Sequence, residues 1–194
     1  MLSTFRPAIV LFGALTLLVG VLYPLAVTGI GQVIFPFQAA GSIITKAGHP
    51  VGSSLIGQAF TAPKYFWGRP SATSPMPNNA SGSGGSNLGP NNPALIDAVK
   101  GRIHALNLAD PGNMAPIPVD LVTASASGLD PDLSVAAALY QVRRIAAARN
   151  IDAEQVRALI EAHRQRQYVG FFGEPAVNVL TLNLALDAET AHTR

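Results

Sequence analysis

The stretch Ala8–Ile30, AIVLFGALTLLVGVLYPLAVTGI, decides the fold: it holds no charged residue, and no Asp, Glu, Lys or Arg occurs between Arg6 and Lys46. A helix rises about 1.5 Å per residue, so about 20 apolar residues cover a hydrocarbon core about 30 Å thick, and this run can span it with some tilt. A cleaved signal peptide is the alternative, but its apolar region runs to about 7–15 residues and ends at a small-residue cleavage site. Here Tyr23-Pro24 interrupts the run, and no A-x-A pattern stands beside it. The expectation is a tail over 1–6, a single transmembrane helix over 7–30 and a helix-rich α+β domain over 31–194. Arg6 and the amino terminus stand on one side of the span, and Lys46 is the first cation on the other. By the positive-inside rule the amino terminus is expected in the cytoplasm and the bulk of the chain outside it.

Composition agrees with one span and one domain. Hydrophobic residues make up 48% of the chain and charged ones 12%, and the mean hydropathy of +0.30 owes much to the span. The absence of Cys excludes disulfides, thiol nucleophiles and Cys-ligated zinc. A net charge of +2 is too small an excess to argue for a nucleic-acid partner.

Beyond the span, residues 31–62 continue the helix and then become extended chain, with Ser53–Ile56 a candidate strand and Phe35, Pro36 and Phe37 either at the membrane interface or in a core. From Gly68 to Pro93 runs GRPSATSPMPNNASGSGGSNLGPNNP, rich in Gly, Pro, Ser and Asn and without apolar period. Connections longer than about 12–15 residues in a compact domain are uncommon and are usually functional or disordered. The block Tyr65-Phe66-Trp67 before it, with the only Trp, reads as a packed anchor.

Three helices follow. Asn92-Pro93 opens the first as cap and first-turn Pro, and Leu95, Val99, Arg102, Ile103 and Leu106 carry a 3.6 period to about Asn107. The second begins near Asp130-Pro131, with Val135, Leu139, Val142 and Ile145 on one stripe and Arg143, Arg144 and Arg149 off it. The third follows Asp152, boxed by Gln155, with Val156, Leu159, Ile160 and His163 inward. Val119–Ala124 (VDLVTA) reads as a short buried strand. The stretch Glu174–Asp187 suits either a strand or a helix, and Pro175 in a first-turn position favours the helix.

The search for chemistry returns little. The chain has no G-x-S-x-G, S-x-x-K, H-E-x-x-H, Walker or G-x-G-x-x-G motif, so no catalytic residue and no metal ligand is assigned. His49, His104, His163 and His192 lack ligand spacing, and Asp97, Lys100 and His104 form one polar face of the first long helix. Arg143, Arg144, Arg149, Arg157, Arg164 and Arg166 gather on the second and third helices. There Glu154, Arg157, Glu161 and Arg164 alternate in sign as on an exposed, ion-paired face; a basic docking face for an acidic partner is the other reading.

Two strings remain. Ser81–Asn87 (SGSGGSN) could turn successive backbone N–H groups toward an anion if its glycines take positive φ, although a plain turn accounts for it as well. Its candidate binding residues are Ser83, Gly84, Gly85, Ser86 and Asn87. Val119–Pro131 runs from the expected strand through Ser125, Ser127 and Gly128 to Asp130, placed to cap a helix ahead of Pro131. A serine hydrolase would need a base near Ser125 or Ser127, and a tethered binding module would not.

Tyr23-Pro24-Leu25, Thr28-Gly29, Phe35-Pro36, Gln38-Ala39, Gly41-Ser42, Gly52-Ser53 and Ile56-Gly57-Gln58 form one part of a larger pattern. Tyr65–Ser71, Ser83–Pro90, Val122–Pro131, Val177–Leu180 and Leu182-Asn183 complete it, in order over nearly the whole chain. Jointly they resemble the C-subunit family of the Kdp high-affinity potassium-transporting ATPases. The resemblance implies a non-catalytic accessory subunit beside a channel-like A subunit that selects potassium and a P-type B subunit that hydrolyses ATP. In family descriptions the C subunit is a catalytic chaperone that raises the B subunit's ATP affinity, its SGGSN block likened to the signature loop of ABC transporters. The topology expected here conflicts with direct contact to cytoplasmic ATP. It implies instead no tightly bound cofactor, ATP entering only through the complex, and a domain that caps the ion entrance of the A subunit and stabilises the assembly.

Overall fold

A computed structural model describes residues 2–165, 167 and 173–192. They fall into two compact units, residues 1–50 and 51–194.

The first unit is dominated by one helix. α1 (Leu2–Leu17) passes through a π-helical turn at Leu18–Leu22 into α2 (Tyr23–Ile34), giving a helix over Phe5–Ile34 that is long and apolar enough to cross a membrane. The π-turn has a local cause. Pro24 has no N–H, and its ring crowds the carbonyl four residues back, so the turn widens and Tyr23 N donates to the Leu18 carbonyl five residues back. A short α3 (Pro36–Ala39) follows. Phe35 and Phe37 are exposed, which removes the core alternative for them. The first strand pair is β1 (Ile43–Lys46) and β2 (His49–Ser53), so the strand expected at Ser53–Ile56 ends where it was to begin. Residues 54–56 turn instead, with Ile56 N reaching the Ser53 carbonyl at 3.4 Å.

In the second unit the helices gather around one core. α4 (Pro93–Ala109) starts as its cap dictates, Asn92 Oδ1 accepting from Ala94 N at 2.9 Å, and runs two residues past Asn107. Its expected stripe is the covered one: Leu106 is buried and Leu95, Val99, Arg102 and Ile103 are half-buried. VDLVTA is not a strand. Val119–Leu121 forms a 3-10 turn, and Val122 N and Thr123 N both return to the Val119 carbonyl, at 3.1 and 2.9 Å, so this backbone closes on itself.

The helix expected from Asp130-Pro131 starts later and is split. β3 (Asp132–Ser134) comes first, pairing antiparallel with β4 (Ala176–Asn178) through Asp132↔Asn178, Leu133↔Val177 and Ser134↔Ala176. Ser134 then caps α5 (Val135–Tyr140), its Oγ accepting from Ala137 N at 3.0 Å, and α6 (Val142–Arg149) follows after a break at Gln141. Arg144 is buried rather than off the stripe, and Leu139 is exposed rather than on it. α7 (Ala153–Ala162) carries the expected capping box, Asp152 and Gln155 each satisfying the other's backbone N–H side, and buries Val156 and Ile160. Residues 174–187 use both of their options, strand β4 and then α8 (Val179–His192). Leu133, Ala137, Ile145, Ile160, Val177 and Leu182 are the centre of the core.

Candidate functional site

The long segment between β2 and α4 has no helix or strand, yet it is tied down by side chains from the helices. Asn183 on α8 does for Phe66 what a neighbouring strand would do. Its Oδ1 accepts from Phe66 N at 2.8 Å and its Nδ2 donates to the Phe66 carbonyl at 3.0 Å. Gln141 repeats the arrangement on Trp67, at 2.8 Å to its N and 3.1 Å to its carbonyl. Both amides are buried, as is the Phe66 ring.

Arg144, 5% exposed, donates to the carbonyls of Pro63 and Tyr65 and to Gln141 Oε1, and its guanidinium lies 4.3 Å from the Trp67 ring centre. Burial pulls its pKa down to about 10 against the opposing pull of the Asp110 carboxylate, still well above neutral pH, so the cation persists. Arg149 holds the same block from outside, with Nε on the Lys64 carbonyl at 2.7 Å and Nη2 on Asp187 at 2.7 Å. Tyr65 Oη joins Asp187 at 3.1 Å. The aromatic anchor expected from the sequence is therefore real. The polar clamp that fixes it was not anticipated, although Gln141 and Asn183, single amides inside apolar runs, carried a signal for it.

This clamp positions the polar loop against the turn after Val122. Ser71 Oγ donates to the Gly128 carbonyl at 2.7 Å and accepts from Asn78 N at 2.9 Å. Gly84 N donates to the Ser127 carbonyl at 2.8 Å and Ser83 Oγ to the same oxygen at 3.0 Å. Two glycines make the approach possible. A Cβ on Gly85 would stand 2.6 Å from the Ala126 carbonyl oxygen, and one on Gly128, whose φ is +69°, would stand 2.6 Å from the Gly84 carbonyl oxygen. Within 81–87 only Asn87 has a positive φ, of 49°, so the glycines do not form the nest that positive φ would allow. The structure thus brings Ser83, Gly84 and Gly85 onto the 125–128 turn, with Asn87 further along the same loop.

The other end of the turn is an ion pair. Arg69 Nη1 meets Asp130 Oδ2 at 2.8 Å, and Asp130 Oδ1 accepts from Asp132 N at 3.0 Å; Asp130 therefore shapes the entry to β3 and caps no helix. Cavities flank the pair. One of about 480 Å³ has Asp120, Asp132 and Glu174 in its wall, and another of about 520 Å³ has Leu55, Ile56, Ser125, Leu129 and Pro131; Arg69 and Asp130 line both. Desolvation raises the pKa of Asp132, and nearby Asp130 adds to the rise against hydrogen bonds from Asn178 and Gln165. Ser127 Oγ is occupied by Leu129 N at 3.2 Å. Neither Ser125 nor Ser127 is bonded to a basic or acidic side chain among the described residues, so nothing there activates a nucleophile. No metal-holding group of His, Cys, Asp or Glu occurs among the described residues.

The sequence profile of one family, KdpC, described as the K+-transporting ATPase c chain, matches residues 5–188. The chain belongs to the KdpC family. The potassium-transporting ATPase KdpC subunit of Janthinobacterium sp. (strain Marseille) is 70% identical over 187 residues, covering 96% of this chain and 99% of that one. Its counterpart in Herminiimonas arsenicoxydans is 66% identical, with 96% and 98% covered. That in Herpetosiphon aurantiacus is 60% identical, with 96% and 97% covered. The matched residues take in both the N-terminal helix and the clamped domain. The exposed pair Glu154–Arg157 of this KdpC chain lies on α7, and Glu161 in its last turn pairs with Arg164 just past its end, both at i,i+3 as their alternation implied. Arg166 lies outside the described residues.

Proposed function

We propose that this chain is the accessory subunit of an ATP-driven potassium uptake complex and performs no chemistry of its own. The observation that carries the proposal is the KdpC family match over residues 5–188. The helix over Phe5–Ile34 anchors it in the bacterial inner membrane, amino terminus inside and residues beyond Lys46 outside. Its partners are the channel-like A subunit and the P-type B subunit. The domain stabilises their assembly and caps the ion entrance of the A subunit, and ATP is used by the B subunit without a nucleotide held here. The SGGSN loop supports this reading by its geometry, because its Gly84 N–H and Ser83 hydroxyl are spent on the Ser127 carbonyl.

The test is removal and return of the chain. Cells lacking it should lose growth on micromolar potassium, and the purified complex should lose potassium-stimulated ATPase activity, both restored by the full chain. Wild-type uptake without the chain would overturn the proposal. Gly85→Val with Asn87→Ala, which pushes the loop off the Ala126 carbonyl, should impair uptake while the helices stay folded by circular dichroism. Micromolar ATP binding by the full chain in calorimetry, abolished by that pair, would return the nucleotide role to this loop and reverse the assigned orientation.

A further inference from the structure

The ion pair Arg69–Asp130 stands in the walls of two cavities, taken here as the two halves of one groove, and these differ in chemistry. In the acidic half, Asp120 spends one oxygen on Ser134 N at 2.9 Å, and Asp132 accepts from Gln165 and Asn178, but neither has a cationic partner among the described residues, nor does Glu174. Three carboxylates without a cationic partner among the described residues line one cavity, and the Arg69 that lines it with them is paired with Asp130. They are not arranged to hold a metal ion, since no metal-holding group occurs among the described residues. What suits separated carboxylates is an extended cation with several donors, a Lys or Arg side chain.

The other half is apolar, with Leu55, 60% exposed, and Leu129 and Pro131 in its wall. At its edge Ser125, only 3% exposed, keeps an Oγ that makes no hydrogen bond among the described residues. Among the described residues the buried polar side-chain atoms without a partner are Arg69 Nε and Tyr140 Oη, so the Ser125 hydroxyl is open at the cavity wall rather than sealed away. A peptide group of an incoming chain would bond it there while its apolar side chain covers Leu55. Backbone hydrogen bonds tie the segments behind the apolar half together, Gly57 N to the Leu129 carbonyl at 2.8 Å and Ser125 N to the Pro70 carbonyl at 3.1 Å.

We infer that this groove docks a segment of a partner subunit in which a Lys or Arg stands beside an apolar residue, the cation among Asp120, Asp132 and Glu174 and the apolar side chain on Leu55. The inference rests on the accessory-subunit reading and names the surface through which the domain would hold its partner. The acidic half supplies orientation and salt dependence, and the apolar half supplies most of the burial.

The test uses the full chain co-expressed with the other subunits of its complex. Glu174→Lys and Leu55→Asp alter exposed side chains that carry no described hydrogen bond, so the domain should keep its thermal midpoint. Each should lower co-purification of the complex at least about tenfold, a loss of about 1.4 kcal/mol, with Glu174→Gln falling less and Asp97→Lys, on the exposed face of α4, unchanged. Raising the salt should weaken the wild type toward Glu174→Gln. A photo-crosslinker at Leu55 should capture a partner peptide carrying a basic residue next to an apolar one. Full recovery of both variants, or crosslinks only to lipid or to a second copy, would overturn the groove assignment. If the wild-type chain itself neither assembles nor restores uptake, it is the accessory-subunit reading that fails.

Discussion

Residues 54–92 and the helices that follow belong to the same compact unit but are held together by different means. The helices cohere through apolar burial, with Ile145, Ile160, Leu182 and Leu186 wholly buried. The irregular segment has little of that beyond Phe66, and it is fixed by side-chain amides and guanidinium groups bonded to its backbone. A backbone without a ladder still needs partners for its N–H and C=O groups, and here Gln141, Arg144, Arg149 and Asn183 provide them. Apolar burial tolerates a change of side chain of similar volume, whereas a fixed donor and acceptor pattern does not. The irregular segment can therefore present an ordered surface at Arg69 and the 125–128 turn without being part of a sheet.

The largest effect should come from the helical side. Ile160→Ala removes a fully buried side chain from the last turn of α7. A cost of about 2–5 kcal/mol is expected, with the whole second unit unfolding earlier. Amide exchange should speed up in α5 to α8 and in residues 63–70 alike. If only α7 loosened, the helices would not be the common base of both regions.

Arg144→Met separates the two regions. The Met fills much of the space but takes the donor from the Pro63 and Tyr65 carbonyls, while Gln141 Oε1 keeps Trp67 N. A buried acceptor left unsatisfied costs about 1–3 kcal/mol, less where water replaces the donor, as at exposed Pro63, and less whatever the removed desolvation of the cation returns. We expect about 2 kcal/mol, read as a midpoint fall of about 4–8 °C. Exchange should rise in residues 62–70, with little change in α7, and Trp67 fluorescence should shift to the red. Uniform loss across both regions would show that the clamp and the core are one cooperative element.

What was legible in the sequence follows the same division. The α4 start at Asn92-Pro93 and the capping box of Asp152 and Gln155 are local devices, set by residues two or three apart, and both stand where the sequence put them. The long apolar run was legible for a similar reason. VDLVTA misled because alternating apolar residues fit a strand, while the chain offers no partner strand and closes a turn on the Val119 carbonyl. Glu174–Asp187 was ambiguous because β4 forms by pairing with β3, forty-odd residues away in sequence, as the register Leu133↔Val177 shows. The clamp was the least legible part. Trp67 meets Gln141 across 74 residues and Phe66 meets Asn183 across 117, and no periodicity reports on such pairs. Of the candidate site, the SGGSN loop and the Val122–Pro131 string were both recognisable, but not that Gly85 would lie against Ala126.

A smaller effect should mark the local devices. Asp152→Ala removes the acceptor for Glu154 N, a bond of 2.9 Å at an exposed helix start. The expected cost is about 1 kcal/mol, within the range of about 0.5–2 kcal/mol for such caps, and Asp152→Asn should keep most of it. Exchange should change in the first turn of α7 alone, leaving the clamp and the groove as they are.

The smallest effect tests whether the irregular side pays for its surface in charge. Burial raises the pKa of Asp132 above its ordinary value, with Asp130 adding to the rise, so the folded state holds this proton more tightly than the unfolded chain does. Stability must then fall as pH rises from the unfolded pKa through the folded one, and the full penalty is present above both. Asp132→Asn removes the ionised form while its amide oxygen can still accept from Gln165 and Asn178. The variant should be slightly more stable than the wild type at pH 7, and its advantage should shrink as pH is lowered through the carboxylate range and vanish below the unfolded value. Parallel midpoint curves for the two proteins from pH 3 to pH 7 would mean that this carboxylate is not penalised by burial. An advantage that disappears when the partner subunits are bound would instead show a cation meeting Asp132, and would join the acidic half of the groove to the interface.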